Sequence, residues 1–126
     1  MIKHIAACAA GVALSACVQA PKSLYGWGSY QGQVYEHLKG TSGPEQQITA
    51  LEADLQRLRA VGAAPPPGYH AHLGLLYAAL GKDDAALREL QTEKHLFPES
   101  AHYIDFLLSK SVKSAQGEPS KEKTQP

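Results

Sequence analysis

Between residues 69 and 98 the apolar positions recur with a helical period. Leu73, Leu76, Tyr77 and Leu80 fall at i, i+3, i+4 and i+7, one face of an amphipathic helix. Gly81 suits the C-terminal end of that helix. Asp83 or Asp84 can start the next one, with negative charge at its N-terminus. Leu87, Leu90, Lys94 and Phe97 carry its face onward, and Pro98 stops it. Two helices joined by so short a turn lie antiparallel. Upstream, Ile48, Leu51, Leu55 and Leu58 make an apolar stripe, bounded by the loop GTSGP at 40–44 and by Gly62 and APPP at 64–67. Asp54 with Arg57, and Leu55 with Arg59, stand at helical neighbour spacing, which puts the charges of this helix on its solvated side. Before it, Ser29 can cap a helix on which Tyr30, Val34 and Leu38 recur every four residues. After Pro98, Ser100 can cap a last helix with Ala101, Ile104, Leu107 and Leu108 on its apolar face and Lys110 and Lys113 near its end.

The segments Gly32–Leu38 and Gly74–Leu80 share Gly, Tyr and Leu at the same spacing. One helix pair cannot bury its faces alone, so neighbours are required. The expected fold is therefore all-α: antiparallel helix pairs, about two repeats, plus a C-terminal capping helix, over residues 29–111. Residues 29–66 form a degenerate first repeat, with Val34 and Tyr35 in its core. Tyr25, Trp27 and Tyr30 belong to an aromatic arm whose LYGWG run is too glycine-rich for helix. Two readings of the arm stay open: rings packed over the end of the first pair, or an exposed patch for a partner or a membrane interface.

The second pair resembles the tetratricopeptide repeat. Leu73-Gly74, Tyr77, Gly81, Ala86, Leu90 and Pro98 match that motif in type and spacing. Gly74 and Ala86 let two backbones approach, and Tyr77 and Leu90 fill the space beside them. Glu93 departs from the small residue the motif prefers, which leaves that interface open or polar. The resemblance implies a concave surface made by the first helix of each pair. Its positions are Ala71, Leu75 and Ala78 in the good repeat, Ser29, Gln33 and Glu36 in the degenerate one, and His102 and Asp105 in the cap. The Lys, Asn and Arg that clamp a C-terminal carboxylate in some such arrays are missing. A groove of small, weakly polar residues suits a helix or an extended segment.

The N-terminus reads as a targeting segment. Lys3 precedes an apolar run at 5–16 that would reach about 18 Å as a helix, short of a hydrocarbon core of roughly 30 Å, and a cleaved signal over 1–16 fits it better. Leu14-Ser15-Ala16-Cys17 resembles the lipobox of bacterial lipoproteins. That resemblance implies acylation of Cys17 on its sulfur and its new amino terminus, the palmitate-type anchor of this class. Val18 and Gln19, with no Asp at 18, imply an outer-membrane rather than inner-membrane address; the periplasmic face is the expected side. Residues 17–28 are then lipid attachment, tether and arm. Residues 112–126, rich in Lys, Glu, Ser, Gln and Pro, read as a disordered tail.

Charge and chemistry narrow the function. Twelve basic side chains face twelve acidic ones, and loss of Lys3 with the signal leaves eleven, so no basic surplus exists for nucleic acid. Cys8 leaves with the signal and Cys17 takes lipid, so no thiol remains for a disulfide or a nucleophile. His70 and His72 are two apart and face different ways on a helix. No metal-ligand spacing, Walker loop, GxSxG or GxGxxG occurs. The sequence predicts a non-enzyme without metal, cofactor or small-molecule substrate, the only attached group being the lipid on Cys17.

SLYGWGSYQGQVYEHLKG, PPGYHAHLGLLYAALGKDDAAL and TEKHLFPESAHYIDFLL together resemble a family of small proteobacterial outer-membrane lipoproteins of unknown function. The resemblance implies a place beside other lipoproteins, one of them similar to the curli secretion channel. The expected role is a protein-protein interaction module of the cell envelope, an accessory subunit of a curli-secretion-like complex. The alternative is a periplasmic activator of a peptidoglycan synthase, against which the six-residue tether and a domain about 30 Å across argue a short reach.

Overall fold

The computed structural model describes residues 23–115, with side chains described as far as residue 110. The expected signal segment, Cys17 and residues 116–126 of the expected tail lie outside the described residues. Five α-helices follow one another: α1 Tyr30–Lys39, α2 Pro44–Ala60, α3 Tyr69–Ala79, α4 Asp83–Leu96 and α5 Ala101–Ala115, with a 3-10 turn at Pro98–Ser100. The expected all-α class holds, and the described residues contain no strand. The last helix runs past residue 111, the expected end of the domain. No helix among the described residues is long and apolar enough to cross a membrane.

The main packing is between consecutive helices, closest between α3 and α4. The central helix, α3, is buried continuously from Tyr69 to Gly74, as expected of a helix covered on several sides. Tyr69, Leu73 and Leu76 join Ile48, Leu51 and Leu55 of α2 in one cluster, with Tyr30, Tyr77 and Leu80 against it. Ala71 faces the other way and shares a cluster with Leu90 and Ile104, backed by Leu107 and Leu108. The apolar stripes read from the sequence thus supply most of the core. Leu87 is the exception on α4: it is exposed, and the buried residues of that helix are Ala86, Leu90 and Glu93.

Gly74 explains the closeness of α3 and α4. A Cβ on it would lie 3.0 Å from Leu90 Cγ and 3.2 Å from the Ala86 carbonyl oxygen. The α3–α4 turn closes at Gly81, in the left-handed region at φ +69. Lys82 N–H donates back to the Tyr77 carbonyl at 3.0 Å and Gly81 N–H to Ala78 at 3.0 Å, the pairing that satisfies the last carbonyls of a helix.

The two helix pairs are related by a shift of 39 residues, from 29 to 68 and from 54 to 93. Ser29 and Gly68 stand at the N-caps of α1 and α3. Pro44 and Asp83 begin α2 and α4. Tyr30 matches Tyr69, Leu51 matches Leu90, and Leu58 matches the buried Phe97. This register corrects the one that aligns Gly32 with Gly74. In the observed register it is Tyr35 that corresponds to Gly74. A large ring there prevents the close approach that glycine allows, so Tyr35 is turned out at 58% exposure rather than buried in a first-repeat core. A Cβ on Gly32 would meet nothing within 4 Å. Val34 is half-buried, and α1 has no fully buried residue.

Candidate interaction site

The aromatic arm is docked on the domain. The Tyr25 ring meets Phe97 edge-on at 6.0 Å. Trp27 stacks on Tyr30 at 6.4 Å, and Tyr30 lies 5.0 Å from Tyr69. Tyr30 is the first residue of α1 rather than part of the arm, and it does the packing expected of Tyr35. Burial, then the charge of Glu93, raises its hydroxyl pKa. Trp27 keeps one side open, at 42% exposure.

Two acids fasten the helix N-termini. Glu93, 1% exposed, accepts the N–H of Gly68 at 2.6 Å, of His70 at 3.1 Å and of Ala71 at 3.3 Å. These are orphan donors of the first turn of α3, and the helix dipole favours negative charge there. The interface that the sequence left open or polar at Glu93 is closed. Asp54 does the matching work for α1. It is 3% exposed, so it leaves the solvated side of α2 to which the charge pattern assigned it. Its Oδ2 accepts Ser29 N–H at 2.6 Å and the Ser29 hydroxyl at 2.5 Å, and Arg57 pairs with its other oxygen. Burial pushes the Asp54 pKa up, but the Ser29 bonds and then Arg57 outweigh it, and the net shift is downward. Ser29 therefore stands at the N-cap of α1 with its hydroxyl committed to another helix. Ser100 likewise donates to the Phe97 carbonyl at 2.7 Å inside the 3-10 turn.

Further polar ties lock α2 to α3 and α3 to α4. Tyr69 donates to the Leu51 carbonyl at 2.7 Å. Burial, then Asp54, raises the Tyr69 pKa strongly. The Tyr77 hydroxyl donates to Glu52; burial and that bond push its pKa up to about 12. His70 Nδ1 lies 2.6 Å from Glu89 Oε2. His72 is held differently: its ring meets His37 at 5.1 Å and Tyr30 at 6.1 Å, and its buried Nε2 has no hydrogen-bond partner. Burial, then the nearness of His37, pulls its pKa down to about 4.

The groove positions separate into two kinds. Ala71, Leu75 and Ala78 form one row on α3, at i, i+4 and i+7. The row starts under Ile104, where Ala71 is buried and offers nothing to a ligand. It opens toward the C-terminus at Leu75, 38% exposed, and Ala78. α1 flanks α3 through His37 and His72, and α5 flanks it through Ile104. On α1, Gln33 is half-buried and Glu36 accepts from Thr41. On α5, His102 is exposed, and Asp105 pairs with Lys94 at 2.7 Å. The sequence-based list omits the exposed aromatic residues of the flanking helices, Tyr35, Tyr103 and Phe106. Their spacing as an outer row on α5, at i and i+3, was the available signal. The motif residues Leu73, Gly74, Ala86 and Leu90 are buried, Tyr77 is half-buried, and Pro98 opens the 3-10 turn.

Among the described residues no group of three or more His, Cys, Asp or Glu could hold a metal ion. A cleft of about 560 Å³ opens at the α3–α4 turn, lined mostly by the charged Lys82, Asp83, Asp84 and Arg88, with Gly81 and Ala85 beside them, unlike the mostly apolar pockets that take small ligands. The apolar and aromatic side chains left exposed on α1, α3 and α5 include Tyr35, Leu75, Tyr103 and Phe106.

Residues 24–107 match the family model described as a domain of unknown function (DUF4810), and the chain belongs to that family. No curated protein and no solved structure matches it.

Proposed function

We propose that the protein is an outer-membrane lipoprotein, anchored through Cys17, whose tetratricopeptide-like domain docks other envelope proteins. Its role is that of an accessory subunit in a curli-secretion-like complex. The observation that carries this reading is the lipobox-like run at Leu14–Cys17, followed within a few residues by a small helical domain whose exposed side chains include Tyr35, Leu75, Tyr103 and Phe106. Large apolar side chains left in water on a folded surface favour protein partners. Several acyl chains, at about 0.8 kcal/mol per buried methylene, would make the attachment effectively permanent. The secretion-like setting rests on the resemblance to small proteobacterial lipoproteins alone.

The test is crosslinking in cells that make the lipidated protein, followed by affinity capture and mass spectrometry. Co-purifying outer-membrane lipoproteins, a channel-like one among them, are the expected result. Capture of a penicillin-binding protein instead would replace this reading with regulation of a peptidoglycan synthase.

A further inference from the structure

We infer that the pole of the domain at which the chain enters rests on the lipid surface itself, with Leu24, Trp27 and Val61 seated at the boundary between headgroups and acyl chains. The inference rests on the reading of Cys17 as the lipid attachment site.

Three segments meet at this pole: the arm, the residues that follow α2, and the end of α4. Gly26 N–H donates to the Ala64 carbonyl at 2.8 Å, which holds the arm against the residues that follow α2. Tyr25 packs on Phe97, which joins the end of α4 to the same place. The exposed side chains of these segments include several large apolar ones. Leu24 is 80% exposed, Val61 76%, Leu96 46% and Trp27 42%. Arg57 and Arg59, near the end of α2, are also exposed, Arg57 paired with Asp54 and Arg59 in a cleft with Glu52 and Glu89.

Tether length selects the lipid as the occupant. Residues 18–23, six in number, lead from Cys17 to the start of the domain. Fully extended they span at most about 20 Å, less than the diameter of about 30 Å expected for a domain of this size. A domain held that closely cannot turn its entry pole away from the membrane by its own width. A Trp and aliphatic side chains suit the boundary between headgroups and acyl chains.

Trp27 is the only Trp of the chain, so its fluorescence reads this pole alone. The lipidated full-length protein is reconstituted in vesicles of phosphatidylethanolamine and phosphatidylglycerol, and the mass of its Cys17 peptide is measured. The expected results are an acylated peptide, loss of acrylamide quenching of Trp27, and quenching by phospholipids brominated near the headgroup end of the chain. The double variant Leu24→Ser, Val61→Ser weakens the bromine quenching. An acylated peptide with Trp27 open to acrylamide and untouched by bromine overturns the seating but leaves the anchor. Protection from acrylamide without bromine quenching means that protein covers the pole, and also overturns it. A peptide without acyl mass removes the anchor reading and this inference with it.

Discussion

Glu93 of α4 accepts the backbone N–H of Gly68 at 2.6 Å and so closes the N-terminus of α3 from the neighbouring helix. Asp54 of α2 holds the N–H of Ser29 in the same way, also at 2.6 Å and also across 25 residues. Each pair thus uses an acid on its second helix to fix the start of its first. The α3 face that carries Leu75 and Ala78 is positioned by that bond.

Replacing Glu93 by Ala leaves several buried donors unsatisfied and opens a void. The expected cost is about 3 kcal/mol, read as a lower urea midpoint. Glu93→Gln keeps an acceptor oxygen and should lose clearly less. Equal losses would show that packing, rather than the bonds to Gly68, His70 and Ala71, carries the effect.

His72 makes stability depend on pH. Its pKa falls from 6.5 to about 4 on folding, so the folded protein prefers it neutral while the unfolded chain protonates it first. The contribution is fully present above pH 6.5 and is lost as the pH falls toward 4. At 1.36 kcal/mol per pKa unit the loss is on the order of 3 kcal/mol. His72→Leu should flatten unfolding free energy against pH in that window. The slope due to Asp54, whose pKa is lowered from 3.8, would remain below it.

Gly74→Val puts branched carbon where Leu90 and the Ala86 carbonyl already stand at 3.0 and 3.2 Å from a bare Cβ. Overpacking there should cost about 2 kcal/mol in chemical denaturation. Combined with Leu90→Ala it should cost less than the sum of the two single changes, because the Leu90 atoms that crowd it go.

Much of the fold was legible because helical periodicity records which face is buried. The stripes Leu73, Leu76 and Ile48, Leu51, Leu55, Leu58 needed no knowledge of their partners. Asp54 was readable in principle: it follows Leu51 by three residues and precedes Leu58 by four, inside the stripe, although its charge argued for solvent. The task of Glu93 was not readable, since its partner lies 25 residues away and the motif marks it only as a departure. Tyr35 was misplaced because three matching letters favoured a register three residues away from the one that the helix starts share. For the groove, the resemblance to the tetratricopeptide repeat implied the row on α3 but could not show that Ile104 would cover Ala71.

Leu75→Glu changes a side chain that is 38% exposed. It should leave stability within about 0.5 kcal/mol while abolishing capture of envelope partners. Unfolding curves and pull-downs on the same preparation separate the two effects.

The most direct measurement places a photo-crosslinking residue in living cells, at Leu75 in one strain and at Gln56 of α2 in another. If α3 presents the docking surface, position 75 gives discrete adducts to outer-membrane lipoproteins and position 56 gives none. Equal labelling at both positions, or none at 75, would contradict the account.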